Sequence, residues 1–253
     1  RNSMQFSIIT VTKDNLAGLR KTAESVANQY NHDYEWLVID GDTNDGTREF
    51  LRSTHAIWIS EPDSGLYDAM NKGLARAQGQ YVIIMNAGDT LADTDVLHYL
   101  RQIIADTKPD FIYGDAYETY GPDNRVFYKP AKTYSRMAYG MPTHHQAMLY
   151  RRDLLDGLNY NTAYPVSADY AFTCRAVQRA ARVEYVPWAI CIFEHGGLSQ
   201  QKVDQGRREQ YQVRKDLDLC PAWQNAAITA RQWLGNRLRT IAPGLYRRLR
   251  SRT

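Results

Sequence analysis

"LYDAMNKGLARAQGQYVIIMNAGDTL", residues 66–91, changes its period halfway along. Leu66, Ala69, Met70, Leu74 and Ala77 fall close to helical spacing, so the first half reads as a helix with one apolar face. The greasy run from Tyr81 to Asn86 is too short for a helix and reads as a buried strand. It breaks at Ala87-Gly88 and presents a single carboxylate, Asp89. An ordinary turn uses Asn, Gly and Asp in this way. So does a metal or phosphate site, and the rest of the chain has to decide between them.

The same alternation extends outward. "FSIITVT" (6–12), "YEWLVID" (34–40), "AIWIS" (56–60) and "FIYGD" (111–115) read as strands. Helices are expected from about 15 to 28, through "REFLRS", and over 95–106. Apolar strands alternating with helices predict an α/β fold, with a mostly parallel central sheet flanked by helices. The second half is less regular. A hairpin is expected around Gly121-Pro122-Asp123-Asn124, a strand in "HHQAMLYRR", a helix over 168–181 and an extended segment over 183–193. A flexible loop at 196–199 leads into a polar helix reaching about Asp218.

The 253 residues suffice for one large α/β domain or two small ones. No apolar run approaches the ~18 residues needed to span a membrane. Arg1-Asn2-Ser3 reads as a remnant of expression rather than targeting information. Cys174, Cys191 and Cys220 are odd in number and far apart, which fits a reducing cytosol and excludes a CxxC zinc knuckle.

From Ala226 onward there are seven arginines, no lysine and no acid, leaving 24 basic against 28 acidic residues elsewhere. The expected organisation is therefore a domain over 4–225 and a basic, helical C-terminal segment over 226–253. Ala227, Ala230, Leu234, Leu238 and Ile241 form one apolar stripe, and Pro243-Gly244 interrupts it. Such a segment adsorbs to an anionic membrane surface, or docks on the body with its basic face in solvent. No basic groove interleaved with aromatics indicates nucleic acid.

In an open α/β sheet, ligands bind beyond the carboxyl ends of the strands. Asp40, Glu61 with Asp63, and Asp89 all fall at such ends. The alternative is that Asp40 and Asp63 cap the following helices. Neither GxGxxG nor GxxxxGK[ST] is present, so no dinucleotide or P-loop phosphate cradle is indicated.

"SIITVTKDN", "WLVIDGDTNDGT", "SEPDSGLYDAMNKGLARAQGQYVIIMNAGDTL" and "VSADYAFTCRA", in that order, resemble the family 2 glycosyltransferases of the GT-A (Rossmann-like) fold, nearest to bacterial exopolysaccharide enzymes of the colanic-acid type. The resemblance runs from about Phe6 to Ser199. It implies an inverting transfer of a sugar from a nucleotide-sugar, most readily a UDP-sugar, to a polyprenyl-linked saccharide in exopolysaccharide or O-antigen assembly. It implies a cytoplasmic enzyme, peripheral at the inner face of the plasma membrane.

The resemblance also assigns residues. Thr10, Thr12, Asp40, Asp63 and Asn86 match nucleotide-contacting positions, Asp40 against the base. Asp89 stands where the family usually has an Asp-x-Asp cluster, and Asn86 and Gly88 replace acids there. With His195 it is the candidate ligand of a divalent cation, Mg2+ or Mn2+, that neutralises the leaving diphosphate. Asp169 matches the catalytic base; its plain alternative is an acid favoured by the helix dipole. His144, His145 and Gln146 are acceptor-site candidates. Two other classes remain open at this stage. The depleted acid cluster fits a non-catalytic nucleotide-sugar-binding subunit, and nucleotidyl transfer lacks its Gly-rich phosphate loop.

Overall fold

The computed structural model describes residues 4–120, 125–196 and 202–241, with side chains in the last helix described as far as 235. The turn expected at 121–124, most of the 196–199 loop, and the tail from 242 on lie outside the described residues.

Strands β1 (Phe6–Thr12), β2 (Tyr34–Asp40), β3 (Ile57–Ser60) and β4 (Tyr81–Ile84) lie parallel in the order β3-β2-β1-β4. They are joined by α1 (Leu16–Ala27), α2 (Thr47–Arg52) and α3 (Leu66–Leu74). The Asn15 side chain accepts the Gly18 N–H at 3.0 Å and so starts α1 one residue later than the sequence suggests. α3 lies close on the sheet: a Cβ on Gly73 would sit 2.4 Å from Ile9 Cγ2, so only glycine fits there.

Beyond β4 the sheet continues β8-β6-β9-β5, with β7 paired to β6. These are β5 (Thr90–Leu91), β6 (Phe111–Tyr120), β7 (Arg125–Lys129), β8 (Met148–Arg151) and β9 (Val183–Glu194). β8 runs antiparallel to both β4 and β6, while β6 and β9 are parallel, so the whole sheet is mixed. α4 (Val96–Thr107) precedes β6, and α5 (Ala168–Arg179) precedes β9. β6 extends five residues past the expected 115, because its second half pairs with β7 on one side and β9 on the other.

The sheet has to curl. β5 follows β4 through a tight turn closed by Asp89 N–H to the Asn86 carbonyl at 2.9 Å. In a flat sheet β5 would lie four strand spacings away, roughly 19 Å at about 4.8 Å each. Curling brings β9 and β5 back over the end of β4.

Two apolar layers sandwich the sheet. Phe6, Ile8, Val38 and Ile83 pack with Leu19 and Leu100 on one face. Ile9, Ile39, Val82 and Ile84 pack with Met70 and Phe172 on the other. Period-2 alternation in β1 thus feeds both cores, as a doubly covered strand requires.

At the C-terminus, α6 (Val203–Asp216) pairs with α7 (Ala222–Ile241). Fully buried Arg214 donates to Asn225 Oδ1 (2.5 Å) and Thr229 Oγ1 (3.0 Å). No break falls at 225/226, because α7 runs continuously through it. The docked face of α7 is Asn225 and Ile228. The stripe of Ala227, Ala230 and Leu234 faces solvent instead, and the side chains of Leu238 and Ile241 lie outside the described residues.

Candidate active site

A cavity of about 1460 Å³ opens at the carboxyl ends of the parallel strands. Val11 and Thr12 end β1 into it, Asp63 approaches from the loop after β3, and Asn86 and Asp89 from the loop after β4. The far wall is built by Asp169 at the start of α5, by 143–146 before β8, and by α6.

Gly88 has φ +107°, a conformation that glycine adopts without penalty. The turn it makes points Asp89 inward rather than out to solvent. The Asp89 backbone carbonyl accepts from the Thr22 hydroxyl at 2.7 Å, which pins the loop to α1. Its carboxylate is buried, taking Gln146 Nε2 at 2.7 Å on Oδ2 and the Glu194 N–H at 2.9 Å on Oδ1. Burial pushes this carboxyl up to about 6, against the bonds from Glu194 and Gln146 and the field of His145 that favour its charge.

His144, His145 and Gln146 reach three different carboxylates. His144 Nε2 lies 2.7 Å from Glu118 Oε1, His145 Nδ1 lies 3.5 Å from Asp169 Oδ2, and Gln146 bonds Asp89. The other His145 nitrogen is 3.5 Å from Asn86 Nδ2. Burial, then Lys129, pushes His144 down to about 4, so at neutral pH it is an uncharged ring donating to Glu118.

Asp169 is partly open, with 22% of its side chain exposed. Oδ1 accepts the Tyr170 N–H at 2.8 Å and faces the Tyr67 hydroxyl at 3.1 Å. That hydroxyl also reaches the Val166 carbonyl at 2.9 Å, so its one proton is divided between two acceptors. Burial and the adjacent Asp169 hold Tyr67 well above the usual phenol range, which keeps it protonated. Oδ2 is the less engaged oxygen, with only His145 Nδ1 beside it at 3.5 Å.

The nucleotide candidates separate. Thr12, Asp63 and Asn86 line the cavity. Thr12 Oγ1, Asn86 Oδ1 and Gln146 Oε1 are buried atoms with no hydrogen-bond partner among the described residues, and all three belong to lining residues. Buried polar atoms left in this state mark where a ligand or water belongs. Thr10 and Asp40 do not line the cavity. Thr10 sits two residues back from the strand end and accepts the Trp36 indole N–H at 2.9 Å. Asp40 is fully buried and takes the Thr43 hydroxyl (2.5 Å), the Thr43 N–H (3.2 Å) and the Ser60 hydroxyl (2.6 Å). Its carboxylate closes the 40–43 turn and ties it to β3. Asp63, unlike Asp40, meets the cavity, and it packs so close to Gly41 that a Cβ there would lie 2.6 Å from Oδ2.

His195 is not aimed at Asp89. Its ring stacks on Tyr120 at 3.8 Å, and its Nε2 lies 3.5 Å from Glu118 Oε2. Glu118 also takes Lys129 Nζ at 2.6 Å. Burial raises this carboxyl, but the bonds from Lys129, Tyr120 and His144 outweigh it and leave it at about 2. Both oxygens of Asp89 are occupied, and among the described residues no group of three or more His, Cys, Asp or Glu gathers to hold an ion. Asp89 and His195 thus do not form a ligand pair.

Sequence reasoning missed Tyr67, Glu118, Lys129 and Glu209. Glu209 accepts the N–H groups of Val166 (2.9 Å) and Ser167 (2.7 Å) and so anchors the segment that carries Asp169. None of these has a local motif; each is defined by a partner 11 or more residues away in sequence.

Fold and cavity define an α/β enzyme with its cleft at the carboxyl ends of the strands and a carboxylate poised at the rim. The chain belongs to the glycosyl transferase family 2, whose description matches residues 7–184. It is 31% identical over 209 residues to a PGL/p-HBAD biosynthesis glycosyltransferase of Mycobacterium bovis, covering 79% of this chain and 80% of that protein. A shorter match, 32% over 90 residues, covers 33% of this chain and 35% of the putative teichuronic acid biosynthesis glycosyltransferase TuaG of Bacillus subtilis. Among solved structures, S. aureus TarS 1–349 in complex with UDP superposes with a TM-score of 0.69 at 19% identity, covering 94% of this chain and 73% of that one. A mannosyltransferase from Pyrobaculum calidifontis, in complex with GDP-Man and Mn2+, gives 0.62 at 14% identity over 98% and 78%. The fold is GT-A-like, and the chain is a glycosyltransferase.

Proposed function

We propose that this enzyme moves a sugar, with inversion, from a UDP-sugar to a hydroxyl of a polyprenyl-linked saccharide in cell-surface polysaccharide assembly. The observation that carries the reading is the division of labour within Asp169. Oδ1 is held by Tyr67 and Tyr170, while Oδ2 has only the His145 ring beside it, at 3.5 Å, on a residue that lines the cavity. A carboxylate fixed through one oxygen and open at the other is a positioned general base. Oδ2 takes the acceptor proton as the hydroxyl oxygen bonds the sugar's anomeric carbon, and the diphosphate leaves from the opposite face. That single displacement inverts the centre. Lys13, the residue after β1, lines the cavity where it opposes the growing charge of the leaving diphosphate.

Structures described with UDP and with UDP-GlcNAc support the choice of nucleotide. A relative named for teichuronic acid biosynthesis supports polysaccharide assembly. A membrane-surface position is supported by α7, where Trp223, Ala227, Ala230 and Leu234 recur at helical spacing and all are exposed, Trp223 at 74%. The test is release of nucleoside diphosphate from UDP-, GDP- and dTDP-sugars in the presence of lipid-linked saccharide, with the product's anomeric configuration read by NMR. Inversion from a UDP-sugar is expected. A product that keeps the donor's configuration, or no turnover of any of the three donors, overturns the reading.

A further inference from the structure

The cavity holds a second set of unsatisfied groups, on the α6 side of Asp169. Arg207 lines it with only 20% of its side chain exposed. Its Nη1 is buried and has no hydrogen-bond partner among the described residues. Asp204 Oδ1 lies 3.6 Å from it, outside hydrogen-bond range, on a side chain that is 75% exposed. Thr143 Oγ1 and Gln232 Oε1, also on the cavity wall, are buried and likewise have no hydrogen-bond partner among the described residues. Arg207 Nη1 thus keeps a long ion pair with the exposed Asp204 but, among the described residues, no hydrogen-bond acceptor, a costly state for a buried guanidinium nitrogen. Its planar fork suits an oxyanion, which it binds through two parallel N–H bonds. The first turn of α6 opens onto the same space through Val203 and Gly206, so the positive end of the helix dipole adds to the charge.

Arg207 is also held in register with the base. Its neighbour Gly206 gives its carbonyl to the Ser167 hydroxyl at 3.1 Å, and Glu209 binds the Val166 and Ser167 N–H groups. A Cβ on Gly206 would sit 3.2 Å from Val166 Cγ1, so α6 and the start of α5 form one tight block. Asp169 follows Ser167 by two residues.

We infer that Arg207 recognises an oxyanion on the acceptor, a carboxylate or a phosphate, and thereby sets the acceptor hydroxyl against Asp169. The inference rests on the transferase reading with Asp169 as base. The oxyanion has two sources, a uronic acid in the saccharide or the diphosphate of the lipid carrier.

Binding of octyl glucuronide, decyl diphosphate and the neutral octyl glucoside to the full chain with UDP present, by calorimetry, separates them. At least one anionic probe is expected to bind about tenfold more tightly than the glucoside. Preference for the glucuronide identifies the sugar as the source, and preference for the diphosphate identifies the carrier. Arg207→Gln is expected to erase the preference, and Arg207→Lys, which keeps the charge and loses the fork, to weaken it several-fold. Equal affinity for all three probes overturns the inference. So does a preference unchanged in both variants, or UDP binding weakened by Arg207→Gln as much as the anionic probe, which would put the guanidinium on the donor. Failure of the transferase reading is seen separately, as a product of retained configuration, and leaves the probe preference as measured.

Discussion

Changing Asp89 to Asn separates charge from shape at the centre of the cavity. The buried carboxyl stands at about 6 against an ordinary 3.8, because burial outweighs the two bonds and the nearby histidine. At 1.36 kcal/mol per tenfold change in ionisation, the charged form is disfavoured by about 3 kcal/mol in the folded protein. Between pH 4 and pH 6 the folded state binds more protons than the unfolded state, so stability falls as pH rises through that window. Below pH 4 both states are protonated and the cost disappears; above pH 6 it is complete. The amide never ionises. It keeps one oxygen for the Glu194 N–H, and its NH2 group meets Gln146, whose unpartnered Oε1 accepts it once the Gln146 amide turns over. Asp89→Asn is therefore expected to be more stable than the natural protein by up to about 3 kcal/mol at pH 7.5, and equally stable near pH 3. In a chain of this size that is a rise of roughly 6–12 °C in the melting midpoint. On the proposed reading turnover should fall steeply in the same variant, because there the charge that costs stability faces the donor. Urea unfolding at several pH values, followed by tryptophan fluorescence, gives the difference directly. A variant less stable at pH 7.5, or a stability difference independent of pH, refutes the assignment of burial as the dominant cause.

Asp169→Asn should lower kcat by roughly 10²–10⁴, the usual loss for a general base, with UDP affinity by calorimetry unchanged; wild-type turnover would place the base elsewhere. Tyr67→Phe removes the phenol that faces Oδ1 and is expected to reduce kcat several-fold while the donor KM stays constant, so a KM effect alone would count against its positioning role. Replacing Trp223 and Leu234 together by Ser should abolish flotation with anionic liposomes and leave the melting midpoint unchanged, since both face solvent; full flotation would remove α7 from the membrane proposal. Arg214→Leu strands Asn225 and Thr229 and should cost about 2–4 kcal/mol, with hydrogen exchange accelerating across 222–235.

The strands, the helices between them and the rim of acids were legible in the sequence because apolar periodicity is a local property. Asp63, Asn86, Asp89 and Asp169 could be located from strand ends and from the family pattern, and all four line one cavity. What could not be read was side-chain direction. Asp40 and Asp89 both end strands, yet Asp40 is sealed by Thr43 and Ser60 while Asp89 turns into the cavity through the positive φ of Gly88. The reversal of β8, which makes the sheet mixed, depends on long-range pairing that no window of sequence contains. The exposed stripe on α7 was legible as a stripe. Its orientation was not, because a polar contact from Arg214 turns Asn225 and Thr229 toward the body in its place.

The segment 144–146 ties the site together through three carboxylates. His144 is extended (φ −66°, ψ 145°) and leads into a 3₁₀ turn over His145–Ala147, where successive side chains project about 120° apart. The three side chains meet Glu118 on β6, Asp169 on α5 and Asp89 after β4. Each carboxylate is gripped by a neutral or weakly basic partner rather than a lysine, except Glu118, which also takes Lys129. Strong pairing with lysine would fix a charge and remove it from use. Glutamine on Asp89 and histidine at 3.5 Å from Asp169 orient the acids and leave most of their charge unspent. β8 carries this turn into the sheet between β4 and β6, so its position is set by the ladders on both sides. The antiparallel strand that departs from simple α/β alternation is thus the element that holds Asp169 and Asp89 in register across the cavity, the two acids to which the proposed function gives the base and donor roles.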